Sequence, residues 1–426
     1  LGMVYGMRAY YYFLMYRAYG GVPLRLTPDV ENGNYDQSTL YMGRAEASET
    51  LAQIKSDIAK SLEYFGNQTS FNFNGDSKNA KYYWSKAATE MLAGEVYLWS
   101  AKVATGDQAI IPDDLAKAKT YFQNVVNNYG LSLQNNFADV FSINNEQNSE
   151  IIFAFDADET EVTNDIPSGY VYGIVTGYTI GAAYDSDGNL WDNPLTVASS
   201  VHRYQFTNAL WYQYDAEDTR RDATFVASWH DQAATQLRGT FVCKNLGSIR
   251  ESTGYRCYNG DQPLYRLPLA YLSLAEIANM EGDEANVEKY INLIRERAYG
   301  DNWNPDVYGY TAGSFVENEV AILHEKDKEF VQEGQRWYDI RRMSVSAACG
   351  DLDHLVFHEE GHVAYGLEIT ENMKELSPNK WEESTPPEIV VAPILSKDLS
   401  YRVLWPLSTS DLSNDPLLKQ TPGYEM

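Results

Sequence analysis

Apolar residues return every three or four positions in separate blocks along this chain, and the blocks come in pairs. Leu51, Ile54, Ile58, Leu62 and Phe65 fall on one helical face, and Trp84, Ala88, Met91, Leu92 and Trp99 on the next. Leu115, Ala118, Phe122, Val125 and Tyr129 continue the series, opened by Pro112-Asp113-Asp114, where a proline and two acids suit a first turn. The period returns at Leu267, Tyr271, Leu274 and Ala278, breaks at Glu281-Gly282-Asp283, and resumes at Val287, Tyr290, Ile291, Ile294 and Ala298. A last block on Val320, Leu323, Asp327, Phe330, Val331, Gly334, Trp337 and Tyr338 predicts one helix from about Phe315 to Met343. The spacing thus predicts helix pairs near residues 8–65, 80–130, 264–300 and 315–345. An amphipathic pair cannot bury its stripe alone, so such pairs stack as tetratricopeptide-like units into a mostly α scaffold.

Between the second and third pairs the pattern changes. Ile151-Ile152-Phe153-Ala154-Phe155 reads as a short buried strand, and the residues after it are rich in Gly, Asn, Asp, Thr and aromatics. The expected organisation is a first scaffold part over 1–150 and an irregular α/β, loop-rich insertion over 151–263. A second scaffold part follows over 264–345, then a hairpin and extended tail packed on the scaffold over 346–426. The uncharged stretch from Ile166 to Tyr184 carries Gly169, Gly173, Gly177 and Gly181 at intervals of four, the small-residue spacing of membrane helix pairs. Each glycine costs a helix about 1 kcal/mol relative to alanine, and Pro167 adds to that, so a loop or irregular sheet is the better reading.

The formal charge is −27, from 33 Lys+Arg against 60 Asp+Glu, and no basic run relieves it, which argues against a nucleic-acid partner. With 44% hydrophobic residues the chain is also far from the composition of disorder. Tyr and Trp, 33 and 9 of them, outnumber the 15 Phe, giving an excess of rings that carry a flat apolar face and a polar edge. Cys243, Cys257 and Cys349 offer no CxxC or metal-ligand spacing, and a Cys243–Cys257 disulfide is one pairing open to them. The start of the chain has no apolar core or cleavage site of a signal peptide.

His358-Glu359-Glu360-Gly361-His362 spells H-E-x-x-H, with His354 four residues before it. A metalloprotease needs that motif on a helix, whereas Gly361 and the flanking Leu355-Val356-Phe357 and Val363-Ala364-Tyr365 read as a hairpin. No G-x-S-x-G elbow, phosphate loop or dinucleotide fingerprint occurs. A glycosidase carboxylate pair, defined in space and not in sequence, stays the enzymatic rival. No cofactor is expected. Asp156-Ala157-Asp158-Glu159 and Asp185-Ser186-Asp187-Gly188-Asn189 leave Ca²⁺ open, although the second run lacks the Glu that closes a calcium loop.

Several stretches together resemble the SusD/RagB-like family of outer-membrane nutrient-binding lipoproteins. They are Arg8-Ala9-Tyr10-Tyr11-Tyr12-Phe13 with Tyr19-Gly20-Gly21-Val22-Pro23-Leu24, Ala87-Ala88 through Trp99, Glu150-Ile151-Ile152-Phe153, and Arg266-Leu267 onward through Arg295-Glu296-Arg297-Ala298. More specific are Glu325-Lys326-Asp327-Lys328-Glu329-Phe330 with Glu333-Gly334-Gln335-Arg336-Trp337-Tyr338-Asp339-Ile340-Arg341-Arg342, and the tail. The tail runs Leu404-Trp405-Pro406-Leu407, then Asn414-Asp415-Pro416-Leu417 to Gln420-Thr421-Pro422-Gly423-Tyr424, with Thr421 where the family usually has Asn. Glu325, Glu333, Arg336 and Arg341 are expected in interhelical ion pairs. The resemblance implies a non-catalytic, cell-surface protein that binds a glycan and delivers it to a SusC-like TonB-dependent transporter, with a peptide-binding member as the alternative. It also implies attachment to the outer membrane through an N-terminal lipid on a cysteine that this chain does not contain near its start.

In that family the matched blocks transfer the scaffold and not the ligand specificity, so site candidates come from chemistry. Sugar rings lay C–H faces on Trp and Tyr while their hydroxyls bond to amides, carboxylates and guanidinium groups. Aromatics beside such groups in loops are Tyr178, Tyr184, Trp191 with Asp192 and Asn193, Trp229, and Trp303 between Asn302 and Asn304. Trp84, Trp99 and Trp337 lie in helical periodicity and are expected in the core.

Overall fold

The structure, a computed structural model, describes residues 1–72, 74–75, 80–170, 183–191, 193–198, 206, 208–343 and 401–424. Helix α1 (Gly2–Tyr19) ends at Gly20, and the chain returns through α2 (Gln37–Leu40) into α3 (Ala47–Phe65). A Cβ on Gly21 would stand 2.0 Å from the Ala45 carbonyl oxygen, so only glycine lets the returning segment close on the first. Helix α4 (Lys86–Lys102) opens on Ser85, whose hydroxyl accepts from the Ala88 N–H at 3.1 Å, and pairs with α5 (Asp114–Asn128). Strand β1 (Ile151–Phe155) leads into the insertion, which holds α6 (Asn208–Tyr212), α7 (Thr219–Thr224), β2 (Phe225–Trp229) and β3 (Leu237–Val242). Strand β4 (Gln262–Arg266) returns to α8 (Leu267–Glu281), α9 (Glu284–Tyr299), α10 (Pro305–Tyr308), α11 (Phe315–Glu329) and α12 (Arg336–Arg342), and the tail carries α13 (Thr409–Asn414).

Helix α1 packs on α3, α3 on α4, α4 on α5, α5 on α8, and α8 on both α9 and α11. The α5–α8 contact therefore joins the two scaffold parts that the insertion separates in sequence. The base of the insertion is closed by β1 and β4, which pair antiparallel with Ile151 opposite Arg266, and β2 and β3 form an antiparallel hairpin. One apolar cluster runs through the helices, from Phe13 and Tyr16 through Ile54, Met91, Trp99 and Phe122 to Leu272 and Ile294. Trp84 and Trp99 are core residues, their indoles satisfied by Thr89 at 2.8 Å and Thr105 at 3.1 Å. The tail sits on the end of α1, where the Trp405 N–H donates to the Ala18 carbonyl at 2.7 Å. Buried Thr421 then donates to the Trp405 carbonyl at 2.7 Å.

Four readings of the sequence change. The single helix over Phe315–Met343 is two, because Gln332 and Gly334 take φ of 65° and 73° and turn the chain. The apolar spacing runs through that turn because Phe330 and Val331 are buried inside it, and Trp337 emerges half-buried at its edge instead of in the core. Cys243 and Cys257 are free thiols, each donating to nearby oxygens, and burial pushes the Cys243 thiol up to about 12. Of the expected ion-pair residues, Glu325 meets Arg220 at 2.7 Å, Glu333 meets Arg266 at 2.7 Å and Arg336 meets Asp327 at 2.7 Å. Arg341 instead lies over the Trp99 ring at 4.8 Å and donates to the Arg17 carbonyl at 2.6 Å. The H-E-x-x-H motif, its proposed hairpin, Cys349 and most of the Gly-rich stretch lie outside the described residues.

Candidate functional site

The aromatic candidates fall into two groups. The first belongs to the insertion. Trp191 donates its backbone N–H to the Ala183 carbonyl at 2.9 Å and lays its ring 4.6 Å from Phe241, leaving the side chain half-buried. Its indole Nε1 is buried without a hydrogen-bond partner among the described residues. Tyr184, also half-buried, exchanges both backbone hydrogen bonds with Trp229, at 3.0 and 2.9 Å. That pairing adds Tyr184 to the edge of β2 and explains why Trp229 is core: it is only 5% exposed, packs edge-on against Trp211 at 5.8 Å, and donates to Ser186 at 3.3 Å. Trp229 therefore offers no open face to a ligand. Asn193, with φ of 46°, spends its amide on its own loop, accepting from the Val197 N–H and donating to the Val197 carbonyl. Tyr178 and Asp192 lie outside the described residues.

The second group is built at the end of α9. Gly300 starts a single 3₁₀ turn through Asn302, and Asn304 then caps α10 by accepting from the Asp306 N–H at 3.1 Å. The one-turn helix α10 folds Tyr308 back onto Tyr299, ring on ring at 4.2 Å, with Trp303 at 6.0 Å from the same ring. Arg295 fixes this return by donating to the Tyr308 carbonyl at 2.9 Å. Tyr299 is buried and its hydroxyl donates to Asp215 of the insertion. Burial, then the charge of neighbouring Glu217, raises the Tyr308 phenol. Trp303 and Tyr308 stay half-exposed, while Asn302, Asn304 and Asp306 are exposed. The result is an aromatic shelf braced from below and rimmed by amides and carboxylates. Sequence reasoning named Asn302, Trp303 and Asn304 of this shelf and did not name Tyr299, Tyr308, Asp215 and Glu217. The Asn304-Pro305 pair, a cap followed by a first-turn proline, is the signal that places Tyr308 one turn later.

The Asp185 carboxylate accepts from the backbone N–H groups of Asp187 and Asn189, both at 2.9 Å, which commits it to its own turn. Among the described residues, no group of three or more side chains is arranged to hold a metal ion.

The SusD family model matches residues 135–424, which include the insertion, the third and fourth helix pairs and the tail. The chain belongs to the SusD family. A SusD superfamily protein from Bacteroides fragilis is 44% identical, with all of this chain and 79% of that one superposing at a TM-score of 0.84. A SusD-like protein, P25, from Formosa agariphila is 26% identical over half of this chain, a match spanning 43% of its own length. Surface glycan-binding protein A from Bacteroides thetaiotaomicron, solved with laminarihexaose, shares the fold at a TM-score of 0.62 and 16% identity, over 99% of this chain and 77% of that one. The mostly α, tetratricopeptide-like scaffold is thus the SusD fold.

Proposed function

We propose that this protein is a non-catalytic, cell-surface glycan-binding subunit that captures oligosaccharide or polysaccharide and passes it to a SusC-like TonB-dependent transporter. In this reading a lipid on an upstream cysteine holds it to the outer membrane. Family membership supports the role, and the glycan complex of a protein with the same fold supports the ligand class. The observation that carries it in this chain is the Trp303–Tyr308 shelf. Its rings are fixed by α10 before any ligand arrives, which lowers the ordering cost of binding, and its rim offers the donors and acceptors that sugar hydroxyls need. The proposal calls on no metal or cofactor.

Affinity electrophoresis and calorimetry against a panel of soluble polysaccharides and peptides test it, with chromatography of the same samples for products. One glycan should be retained without new products, and Trp303→Ala should weaken it by roughly tenfold, as expected for loss of one stacking ring. Release of shortened glycan would overturn the non-catalytic reading. Retention of peptides alone would replace the ligand class.

A further inference from the structure

The turn that separates α11 from α12 opens a cavity of about 540 Å³ between the scaffold and the insertion. That volume lies inside the range of roughly 300–1,000 Å³ typical of small-molecule sites. Phe206 and Gln213 line it from the insertion, and Phe330, Gln332, Gln335 and Trp337 line it from the turn. Two properties of this lining point to a ligand. Gln332 stands at φ 65°, a setting that costs a non-glycine residue energy, and its Nε2 is buried with no hydrogen-bond partner among the described residues. A buried amide nitrogen left unpaired is a desolvation loss that an incoming oxygen acceptor removes. The charges on the wall are matched: Asp327 accepts from Arg336 at 2.7 Å, and Lys326 donates to Asp339 at 2.8 Å. The cavity therefore presents amides and flat rings around charges that are already neutralised, a lining suited to hydroxyls and ring C–H groups and poorly suited to an anionic group.

We propose that this cavity is a carbohydrate pocket for a neutral mono- or disaccharide unit, with Gln332 Nε2 donating to a sugar oxygen and Trp337 and Phe330 against its C–H faces. The inference rests on the glycan-binding reading but concerns a different place from the Trp303 shelf, which contributes none of the cavity's lining.

The test is ¹⁹F NMR of the full chain labelled with 5-fluorotryptophan, the Trp337 and Trp303 signals being assigned by Trp337→Phe and Trp303→Phe. The probes are maltose, laminaribiose, xylobiose, mannobiose and the acidic digalacturonate, beside the polysaccharide panel above. At least one neutral disaccharide should move the Trp337 signal, and digalacturonate should not. Gln332→Asn keeps a residue that tolerates the left-handed backbone but shortens the amide arm, and should weaken that disaccharide by roughly tenfold with melting temperature unchanged. The signal shift in the unsubstituted chain stands as evidence even if the Asn variant folds poorly. If polysaccharide binds and only the Trp303 signal moves, the pocket is overturned and the glycan reading survives. If no glycan binds at all, both fall. An equal response to digalacturonate would overturn the selection for neutral sugars.

Discussion

In the scaffold, the buried carboxylate of Glu329 receives three guanidinium groups, from Arg220, Arg266 and Arg297, and Glu276 receives Arg342 and Lys102 at 2.8 and 2.9 Å. In the insertion, the buried hydroxyls of Thr224, Ser228 and Thr240 and the indole nitrogens of Trp191 and Trp211 have no hydrogen-bond partner among the described residues. Both regions bury polarity, but in the scaffold these carboxylates are matched several times over, whereas these insertion hydroxyls and indoles are not matched among the described residues. Against the cost of burial, the Arg297, Arg266 and Arg220 charges hold Glu329 well below the usual carboxylate range, so it stays ionised. A buried charge that is matched several times over tolerates little change, and it pins α7, α9, α11 and β4 to one arrangement.

The sharpest way to break this contrast is Glu329→Ala. It leaves three guanidinium groups facing each other in the core, and removing one partner of a buried ionic cluster costs about 3–5 kcal/mol. Urea denaturation should show the loss as a lower midpoint with little change in slope. A loss below about 1 kcal/mol would show that Glu150, at 3.1 Å from Arg266 and 2.9 Å from Arg297, suffices to carry the cluster. Next in size comes Gly94→Ala. Gly94 lies inside α4, where a Cβ would meet the Phe122 ring at 2.6 Å, so the α4–α5 pair must part or the ring must turn. Overpacking of this kind costs about 1–3 kcal/mol, and it should appear as a lower melting temperature with the fold retained.

These two regions also differed in how far they could be read from sequence. The scaffold helices were legible because their signal is local: Leu267 to Ala278 and Val287 to Ala298 repeat at the helical period, and Gly282 between them caps α8 with φ of 71°. The insertion was legible only as an interruption. Its strands are five or six residues long, and β1 is completed by a partner far along the chain, with Phe155 opposite Gln262. Trp229 was misread as an open platform for that reason, since its burial comes from Tyr184 and Trp211 and not from its neighbours in sequence. The loop position of Trp303 was legible because the turn and cap around it are written in adjacent residues. Tyr308, one turn further on, becomes a shelf residue only through its contact with Tyr299.

At the junction of the two regions the comparison becomes a difference in pH response. Burial first, and the charge of Asp261 second, push the Glu146 carboxyl up to about 7, and burial pushes Asp261 up to about 6. The Asp261 N–H donates to Glu146 at 3.1 Å, while its carboxylate accepts from Tyr82 at 2.6 Å and from the Ala157 N–H at 3.1 Å. Asp156 adds a further negative charge. A carboxyl whose value rises on folding favours the folded state while it is protonated. Its contribution is complete below the ordinary carboxylate value near 4 and fades as pH rises through 6 and 7. Glu329, with its value lowered, contributes in the opposite sense, above the ordinary value and not below it. Melting temperature against pH should therefore fall between pH 5 and 8, and Glu146→Gln should flatten that fall while leaving the acid limb in place. An unchanged slope in the variant would show that Glu146 stays ionised in the folded chain.

The smallest effect should come from Ser228→Ala, and the smallness is the point. Ser228 is fully buried in β2, opposite Gly239, and its Oγ has no partner among the described residues. Removing a paired hydroxyl from a core costs about 0.5–1.5 kcal/mol, but here the desolvation of that oxygen is already a loss in the folded state. Alanine gives up no hydrogen bond and sheds that penalty, so the change in unfolding free energy should lie within about 0.5 kcal/mol of zero or favour the variant. A loss above about 1 kcal/mol would mean that the hydroxyl is paired after all, through water or a residue outside those described.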